Sequence, residues 1–340
     1  MEKINLKDFT LSELTDYIIL LGEPKFRAKQ IYKWLYSGAE SFDDMTDISK
    51  QLREKLSENC ATGNLIIEKK FVSGLDGTRR YLLKLSDGNF IESVLMKYKH
   101  GYSICISSQV GCAMGCKFCA STVNGRVRNL TSGEIIDQII TVQRDIGEKI
   151  SNIVMMGVGE PLDNFDNVIK FLTNVNNPLG MNIGMRHITI STCGIVPRIY
   201  ELADMKLQIT LAISLHAADD ESRRRIMPIA KRYNISELLE ACRYYTETTG
   251  RRITFEYTLI SGVNDSDENA EKLVSLLRGE LCHVNLIPVN PVEGTGFSAG
   301  SAVSVDRFRK IIERSGISAT VRREMGRDIS AACGQLRQQR

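Results

Sequence analysis

The chain has 340 residues, of which 43% are hydrophobic and 25% are charged, and its formal net charge at pH 7 is +3. This composition is typical of a globular protein with a large core, and apolar runs such as residues 209–215 are far shorter than the roughly 20 residues that cross a bilayer. We therefore expect a cytoplasmic protein without a membrane segment, and a net charge this small gives no argument for nucleic acid binding.

The first 62 residues predict a small helical domain. Thr10 and Glu13 have the spacing of a capping box for a first helix, which ends near Gly22. A second helix follows Pro24, and a third covers residues 48–56. The predicted core positions of the second helix are Phe26, Ile31, Trp34 and Leu35.

Residues 63–99 predict a β-meander. Polar and apolar side chains alternate from residue 65 to residue 98, and Asp-Gly pairs at 76–77 and 87–88 mark two turns. No catalytic motif occurs before the end of this segment.

The last predicted domain, residues 100–340, alternates strands with helices. One helix is capped by Thr131 with Glu134, and another begins at Asp265 with Glu268. Six strand–helix units are too few for a closed eight-stranded barrel, so the α/β pattern favours an open partial (β/α)6 barrel, with a doubly wound sheet as the alternative. In both folds ligands bind at the carboxyl ends of the strands. The predicted strands are residues 103–107, 152–156, 187–191, 208–215, 253–259 and 283–289.

Three cysteines in a C-x-x-x-C-x-x-C motif, Cys112, Cys116 and Cys119, follow the first of these strands. Three thiolates hold a 4Fe-4S cluster with one iron left open, which is the arrangement of radical S-adenosylmethionine (SAM) enzymes. Zinc is the alternative, but a closed zinc site needs a fourth ligand and no second C-x-x-C pair is present. Ala120 stands where c-type haem attachment would need histidine. Nine cysteines in a chain without a signal peptide predict a reducing compartment rather than disulfides.

Most of the later strands also end in residues that could bind a cofactor. Glu160, in the turn at residues 157–161 (GVGEP), suits an ammonium group. Ser191, Ser214, His216 and Asn290 could bond ribose, carboxylate or adenine. Each of the four alone could be a capping residue, whereas the set indicates a cofactor pocket.

Two further cysteines stand apart from the motif. Cys105 precedes the cluster loop and alternates with Ile104 and Ile106, and Cys333 lies among small residues near the chain end. Beside a radical centre they could act as covalent carrier and base, and packing in the core is the alternative. Core packing is the prediction for Cys60, Cys193, Cys242 and Cys282.

Short basic clusters are spread along the chain. Each alone is typical of a solvated surface, and only their convergence on one rim would make a phosphate-binding surface. The clusters are residues 79–80, 126 with 128, 223–225, 231–232, 251–252, 322–323 and the tail 337–340.

Nearly the whole chain resembles the RlmN-like dual-specificity RNA methyltransferases, a radical SAM family of the RlmN/Cfr type. The resemblance implies methylation of adenosine C2 in 23S ribosomal RNA, at the peptidyl transferase centre, and in tRNA, next to the anticodon. The motifs that carry it are residues 6–9 (LKDF), 157–161 (GVGEP), 186–192 (RHITIST), 252–256 (RITFE), 262–265 (GVND), 283–291 (HVNLIPVNP) and 332–336 (ACGQL).

The resemblance also implies a mechanism that uses two SAM molecules per turnover. The first SAM methylates Cys333, and the second binds the 4Fe-4S cluster and yields a 5'-deoxyadenosyl radical that removes hydrogen from this methyl group. The carbon radical adds to adenine C2, and Cys105 then takes the C2 proton and forms a transient disulfide with Cys333. A flavodoxin or ferredoxin would supply electrons to a monomeric enzyme.

Site residues are carried over by the same resemblance. Cys112, Cys116 and Cys119 correspond to the cluster ligands. Glu92 corresponds to a proton acceptor, with an exposed strand residue as the alternative, and Met156 to a methionine that seats Cys333, with a core methionine as the alternative. The positions that correspond to SAM contacts are Gly159, Glu160, Ser191, Ser214, Leu215, His216 and Asn290. The helical domain resembles an RNA-contacting extension whose basic face is Lys25, Arg27, Lys29 and Lys33.

Two competing functions stay open at this point. An adenine C8 methyltransferase of the antibiotic-resistance type shares the cluster, the two lone cysteines and the scaffold, although Pro161 and residues 288–291 favour C2. An RNA-binding protein with a structural metal site and no turnover is the second alternative.

Overall fold

The computed structural model describes residues 3–292 and 294–336, so the basic tail at 337–340 lies outside the described residues. The N-terminal part contains the three predicted helices and one pair of short parallel strands. Thr10 and Glu13 form the predicted capping box at the start of the first helix. The elements are β1 (Ile4–Asn5), α1 (Leu11–Leu20), α2 (Phe26–Tyr36), α3 (Lys50–Asn59) and β2 (Cys60–Ala61).

The predicted core of α2 is correct for Ile31 and Leu35, which are fully buried, and wrong for Phe26, which is 51% exposed. Trp34 is half-buried. The buried face of α2 runs through Ala28, Ile31 and Leu35. Because successive helical residues are rotated by about 100°, Phe26 lies almost opposite Ala28 and points away from the core.

The predicted meander is present as the antiparallel strands β3 (Ile66–Val72), β4 (Arg79–Lys84) and β5 (Phe90–Tyr98). Both predicted turns contain a glycine with positive φ. The last meander strand pairs antiparallel with β6 (Gly101–Cys105), so the meander continues the sheet of the barrel. The domain boundary near residue 63 stays a prediction.

All six strands predicted after residue 100 are present, each within two residues of its predicted ends. Their order in the sheet follows the chain without reversal, which makes an open partial barrel and excludes the doubly wound alternative. A seventh parallel strand, β14, was not predicted. After the hairpin β7 (Gln109–Gly111) and β8 (Arg126–Asn129), the parallel strands that follow β6 are β9 (Ile150–Met155), β10 (Ile188–Thr192), β11 (Thr210–Ser214), β12 (Ile253–Leu259), β13 (Cys282–Pro288) and β14 (Ala319–Val321).

Helices connect the strands and pack their apolar residues into one large core. Thr131 and Glu134 cap the first of them as predicted. The N-cap of α9 is Ser266 rather than Asp265, whose carboxylate instead accepts a hydrogen bond from the Gly262 N–H at 2.9 Å. In the described ranges no helix could cross a membrane. The helices are α4 (Ser132–Ile146), α5 (Phe165–Asn176), α6 (Val196–Asp204), α7 (Asp220–Ile226), α8 (Ile235–Thr249), α9 (Asp267–Leu277) and α10 (Ala302–Arg314).

The N-terminal helices are fixed to α4 and α5 by buried polar contacts. Lys7 forms a fully buried ion pair with Asp137 on α4. The Asp8 carboxylate accepts a hydrogen bond from the Gly133 N–H at 2.7 Å. The Asn174 side chain donates to the backbone carbonyls of Lys7 and Phe9. Charges buried this way are costly to separate, so the helical part has one defined position beside the barrel.

Candidate active site

A cavity opens at the carboxyl ends of the parallel strands. Its wall joins the cysteine loop after β7, the ends of β9 to β13, and the C-terminal segment. Eleven of the predicted site residues line it, and Leu215, Cys105 and Glu92 do not. The eleven are Cys112, Cys116, Cys119, Met156, Gly159, Glu160, Ser191, Ser214, His216, Asn290 and Cys333.

Glycine makes the tight cysteine loop possible. Gly111 and Gly115 have positive φ, and a Cβ on Gly111 would lie 1.9 Å from the Gly125 carbonyl oxygen. The Cys112 N–H donates to that same oxygen at 3.0 Å, and the Lys117 N–H donates to the Ile226 carbonyl at 3.0 Å. These contacts fix the loop so that its three thiols reach one cavity.

The donor set fits a cluster with an open iron. In residues 3–292 and 294–336, no three ligand side chains lie close enough to share one metal ion. The thiolates of a cluster bind different iron atoms, so they stand farther apart than the ligands of a single ion. Burial raises the pKa of Cys112 to about 12, and bound iron would favour the thiolate. Three thiols beside an open cavity are the ligands that such a cluster needs.

The turn after β9 can be built only with glycine. A Cβ on Gly157 would lie 2.6 Å from the Ile106 carbonyl oxygen, and Gly159 has φ +108. Glu160 is buried beside them, and its two carboxylate oxygens accept backbone hydrogen bonds from Leu162 at 3.0 Å and Cys193 at 2.7 Å. Each oxygen keeps a further lone pair, so the carboxylate can also accept from a ligand cation.

His216 is held as a neutral hydrogen-bond donor. Its Nδ1 accepts a hydrogen bond from the Thr258 N–H at 2.9 Å, which leaves the proton on Nε2. Burial, with the positive charge of Arg223, lowers the pKa of His216 to about 3. The residue also has φ +57, a strained conformation that the Asn264 side chain supports by donating to the His216 carbonyl at 2.7 Å.

Arg223 is a structural residue that the sequence placed on a basic surface cluster. Arg224 and Arg225 are exposed as expected, but Arg223 is completely buried. Its guanidinium donates to the Cys193 carbonyl at 2.8 Å and to the Leu215 carbonyl at 3.2 Å, so it joins the ends of β10 and β11. The Leu215 side chain lies in the core, and the structure does not bring it to the cavity wall.

Cys333 is positioned by contacts on both sides of the C-terminal segment. The Asn290 side chain donates to the Cys333 carbonyl at 2.9 Å. The Ala120 N–H donates to the Gly334 carbonyl at 2.7 Å, and the Ser121 hydroxyl donates to the Leu336 carbonyl at 2.8 Å. Asn290 and the cysteine loop thereby hold this thiol at the cavity.

Cys105 is buried, does not line the cavity, and lies within electrostatic reach of Cys333. It packs in a small cluster with Val94 and Met96, whereas Ile104 and Ile106 belong to the main core, which confirms the predicted alternation. Burial raises the pKa of Cys105 to about 12, and the charge of the Cys333 thiolate acts in the same direction.

Glu92 is 3% exposed, so the alternative of an exposed strand residue is wrong. Its carboxylate lies 3.7 Å from Nε of Arg80, and its carbonyl accepts a hydrogen bond from the Ser107 hydroxyl at 2.7 Å. Met156 is half-buried at the cavity wall, with its sulfur 3.3 Å from Nη1 of Arg322.

Sequence reasoning missed Arg322 and Glu256, both of which line the cavity. The Glu256 carboxylate accepts a hydrogen bond from Asn285 at 2.8 Å. Arg322 follows the unpredicted strand β14, and its pKa is raised, most of all by the nearby Cys333 thiolate. In the sequence, Arg322 and Arg323 stood out only as a short basic cluster. Glu256 stood out only as the last residue of the family motif at residues 252–256.

Two aspartates connect the C-terminal segment to the turn between β3 and β4. The Asp328 carboxylate accepts hydrogen bonds from the Ser73 hydroxyl at 2.6 Å and the Gly74 N–H at 2.9 Å. In return, the Asp76 carboxylate accepts from the Gly326 N–H at 2.9 Å. The meander turn therefore holds the start of the segment that carries Cys333.

We expect Asp328→Ala to loosen this segment. Losing both acceptor contacts should raise hydrogen–deuterium exchange in residues 326–336, and iodoacetamide labelling of Cys333, by about 10-fold. Asp306→Ala is the matched control, because Asp306 is an aspartate on α10 that bonds Arg309 and Lys310 away from the segment. Equal exchange in both variants would contradict this role of the meander turn.

Comparisons with known proteins agree with this geometry. Residues 4–62 match the family model described as the ribosomal RNA large subunit methyltransferase N-terminal domain, and residues 106–274 match the radical SAM superfamily. The chain is similar to a solved radical SAM methyltransferase from Sphaerobacter thermophilus, with a TM-score of 0.95 and 46% identity over 99% of this chain and 100% of that one.

Two relatives carry the name probable dual-specificity RNA methyltransferase RlmN. The protein of Clostridium novyi is 58% identical over 98% of this chain and 97% of its own length. The protein of Alkaliphilus oremlandii is 58% identical over 99% of this chain and 98% of its own length.

Proposed function

Because this chain belongs to the RlmN family of radical SAM methyltransferases, we propose that it methylates C2 of adenosine in RNA. The substrates are 23S ribosomal RNA, at the peptidyl transferase centre, and tRNA, at the adenosine next to the anticodon. The observation that carries the proposal is one cavity whose wall contains the three motif thiols and the separate thiol Cys333.

The family implies a 4Fe-4S cluster and SAM, and the cavity offers groups for both. Cys112, Cys116 and Cys119 would hold the cluster. When bound, the cluster supplies the electron that cleaves SAM to a 5'-deoxyadenosyl radical. Glu160 would accept from the SAM ammonium group, and the Nε2–H of His216 would donate to ribose or carboxylate oxygen. Gly159, Ser191, Ser214 and Asn290 complete the SAM contacts, and Leu215 contributes through its place between Ser214 and His216.

Cys333 has two tasks in this proposal. Its thiolate first attacks the methyl carbon of one SAM, so that a sulfur–carbon bond forms while the SAM sulfur leaves with its electron pair. In the second half-reaction the methyl group gives up a hydrogen atom and joins adenine C2 through its carbon. Two SAM molecules are consumed in each turnover. Met156, which contacts the cavity and Arg322, would help to seat the methylated side chain.

Cys105 completes the reaction. Cys105 would take the C2 proton, and one electron would return from the adduct to the cluster. The Cys105 sulfur then attacks the Cys333 sulfur, a disulfide forms, and the Cys105 proton passes to the methylene carbon that leaves with the base. An external two-electron donor then reduces the disulfide. Cys105 is the proposed proton acceptor, because its thiol is within electrostatic reach of Cys333, whereas the Glu92 carboxylate lies 3.7 Å from Nε of Arg80. Glu92 would act from behind Cys105.

The basic face of α2 is the proposed surface for RNA in the helical domain. Lys25, Lys29 and Lys33 are exposed along α2 and can contact RNA phosphates. The Arg27 guanidinium donates a hydrogen bond to the Asp47 carbonyl at 3.1 Å, which leaves it less available for contacts with RNA phosphates. We expect a cytoplasmic monomer that receives its electrons from a flavodoxin or ferredoxin.

Anaerobic reconstitution tests the enzyme class. With iron, sulfide, SAM, RNA and a strong reductant, the protein should release 5'-deoxyadenosine, measured by liquid chromatography and mass spectrometry. Cys116→Ala should release none, because two thiols cannot hold the cluster, while Cys282→Ala at the edge of β13 should behave as wild type. A non-enzymatic RNA-binding protein with a structural metal would leave SAM intact in all three samples.

The methylated position separates C2 from C8 chemistry. Relatives with the RlmN name at 58% identity favour C2. Nucleoside mass spectrometry of RNA from a gene-deletion strain should show loss of 2-methyladenosine in both 23S ribosomal RNA and tRNA. A product with the methyl group at C8 would overturn the proposed function.

A further inference from the structure

A second groove adjoins the SAM cavity at Cys333. Cys333, Asn290 and Arg322 line both spaces, so Cys333 stands at the boundary between them. Of the described residues in the wall of this groove, Cys333 is the one thiol. A carrier that takes a methyl group from one ligand and passes it to another needs access from two sides, and this boundary provides it.

The outer wall of the groove carries an exposed aromatic pair. Tyr98, at the end of β5, lines the groove and is 39% exposed. Its ring is stacked on the ring of His100, with centroids 5.2 Å apart and planes 6° apart. The Tyr98 hydroxyl lies 3.5 Å from the Met96 sulfur, which holds the ring in one orientation. An ordered, partly exposed ring is a surface on which an unstacked base can lie.

The rim of the groove is positively charged. Arg323 and Arg327 are exposed in its wall. Glu324 is the acidic residue in the same wall and lies 3.9 Å from Nε of Arg327. Two exposed arginines against one carboxylate leave a surplus of positive charge, which attracts phosphates.

We propose that this groove receives the target adenosine, unstacked from its RNA, with the base against the Tyr98 ring and the neighbouring phosphates near Arg323 and Arg327. SAM and RNA then approach Cys333 from opposite sides. The inference rests on the proposed function and deepens it, because it names the surface that presents adenine C2 to the carrier. Aromatic rings select an unpaired base and arginines position its backbone, which is the usual division of contacts in binding of single-stranded RNA.

The test uses the reconstituted full-length protein and a synthetic anticodon stem-loop RNA with adenosine at the target position. Tyr98→Ala should weaken RNA binding about 10-fold or more, measured by fluorescence anisotropy, because the target base loses the tyrosine ring on which it stacks. Tyr98→Phe keeps the ring and should bind within about 2-fold of wild type. Tyr244→Ala is the matched control, since Tyr244 is also 39% exposed but lies on α8.

Methylation of Cys333 by SAM, followed from the mass of the peptide that contains it, separates the possible outcomes. The inference expects Tyr98→Ala to methylate Cys333 as wild type does while losing RNA affinity. Unchanged RNA affinity with normal Cys333 methylation would overturn the groove assignment and leave the proposed function intact. Loss of Cys333 methylation in Tyr98→Ala would also overturn it, because Tyr98 would then act on the carrier. A wild-type protein that methylates neither Cys333 nor RNA would refute the proposed function itself.

Salt dependence adds an independent readout. Arg323→Gln and Arg327→Gln should each lower the slope of log Kd against log salt by about one, because each removes a phosphate contact. Tyr98→Ala should leave that slope unchanged. An unchanged slope in both arginine variants would contradict the phosphate positions.

Discussion

Replacing Cys333 by alanine is expected to abolish RNA methylation, to below roughly one part in 1,000 of the wild-type rate. The thiolate is the only proposed acceptor of the first methyl group, so without it no carbon is available for transfer to adenine. Adenine C2 is not nucleophilic and cannot take the methyl group from SAM directly. The expected loss is therefore complete rather than partial, and it should hold for ribosomal RNA and tRNA alike.

The measurement uses SAM with an isotope-labelled methyl group and follows the label in protein and RNA separately. Wild-type protein should carry label on the peptide that contains Cys333 and pass it to RNA, while Cys333→Ala should carry neither. Cys282→Ala is the matched control, since Cys282 is also half-buried but lies at the start of β13, away from the cavity. Labelled RNA from Cys333→Ala would show that the methyl group takes another route.

Local patterns predicted the parts of the site that are close in sequence. The three motif cysteines lie within eight residues of one another, and their spacing alone indicates what they bind. Thr131 with Glu134 fixed the start of α4 for the same reason, because a capping box is a contact over three residues. The parallel strands were recognisable as apolar runs, and their carboxyl ends had to meet at one edge of the sheet.

Burial of charged residues could not be predicted, because it depends on the assembled fold. Arg223, Arg224 and Arg225 look alike in sequence, yet only Arg223 turns inward, where it bonds carbonyls at the ends of β10 and β11. Arg322 depends on β14, a strand of three residues that is too short for a periodic signal. Glu256 alternates within a strand that is buried on both faces, so its pattern did not distinguish the cavity from the core.

The two lone cysteines show where resemblance added what spacing could not. They are separated by most of the catalytic domain, and each alone reads as a small core residue. The fold brings them together because β6 lies at the centre of the sheet while contacts to Asn290, Ala120 and Ser121 draw the C-terminal segment across the barrel. Their electrostatic coupling, through which Cys333 raises the pKa of Cys105, is a tertiary result.

Replacing Cys105 by alanine is expected to trap a covalent complex of protein and RNA. Cys105→Ala keeps Cys333 and can still be methylated, activated and joined to adenine C2. The steps that are lost are removal of the C2 proton and the attack on the Cys333 sulfur that releases the base, so the thioether bond between Cys333 and the methylene carbon persists. Turnover should stop after about one RNA per protein.

Denaturing gel electrophoresis should show this adduct as a band that disappears after nuclease treatment and is absent when Cys333 is also replaced. Cys242→Ala is the matched control, because Cys242 is as buried as Cys105 but packs in the main core on α8 and does not line the cavity. It should turn over repeatedly and leave no adduct. Free methylated RNA from Cys105→Ala at the wild-type rate would mean that another group, with Glu92 as the candidate from the resemblance, removes the C2 proton and that release needs no disulfide.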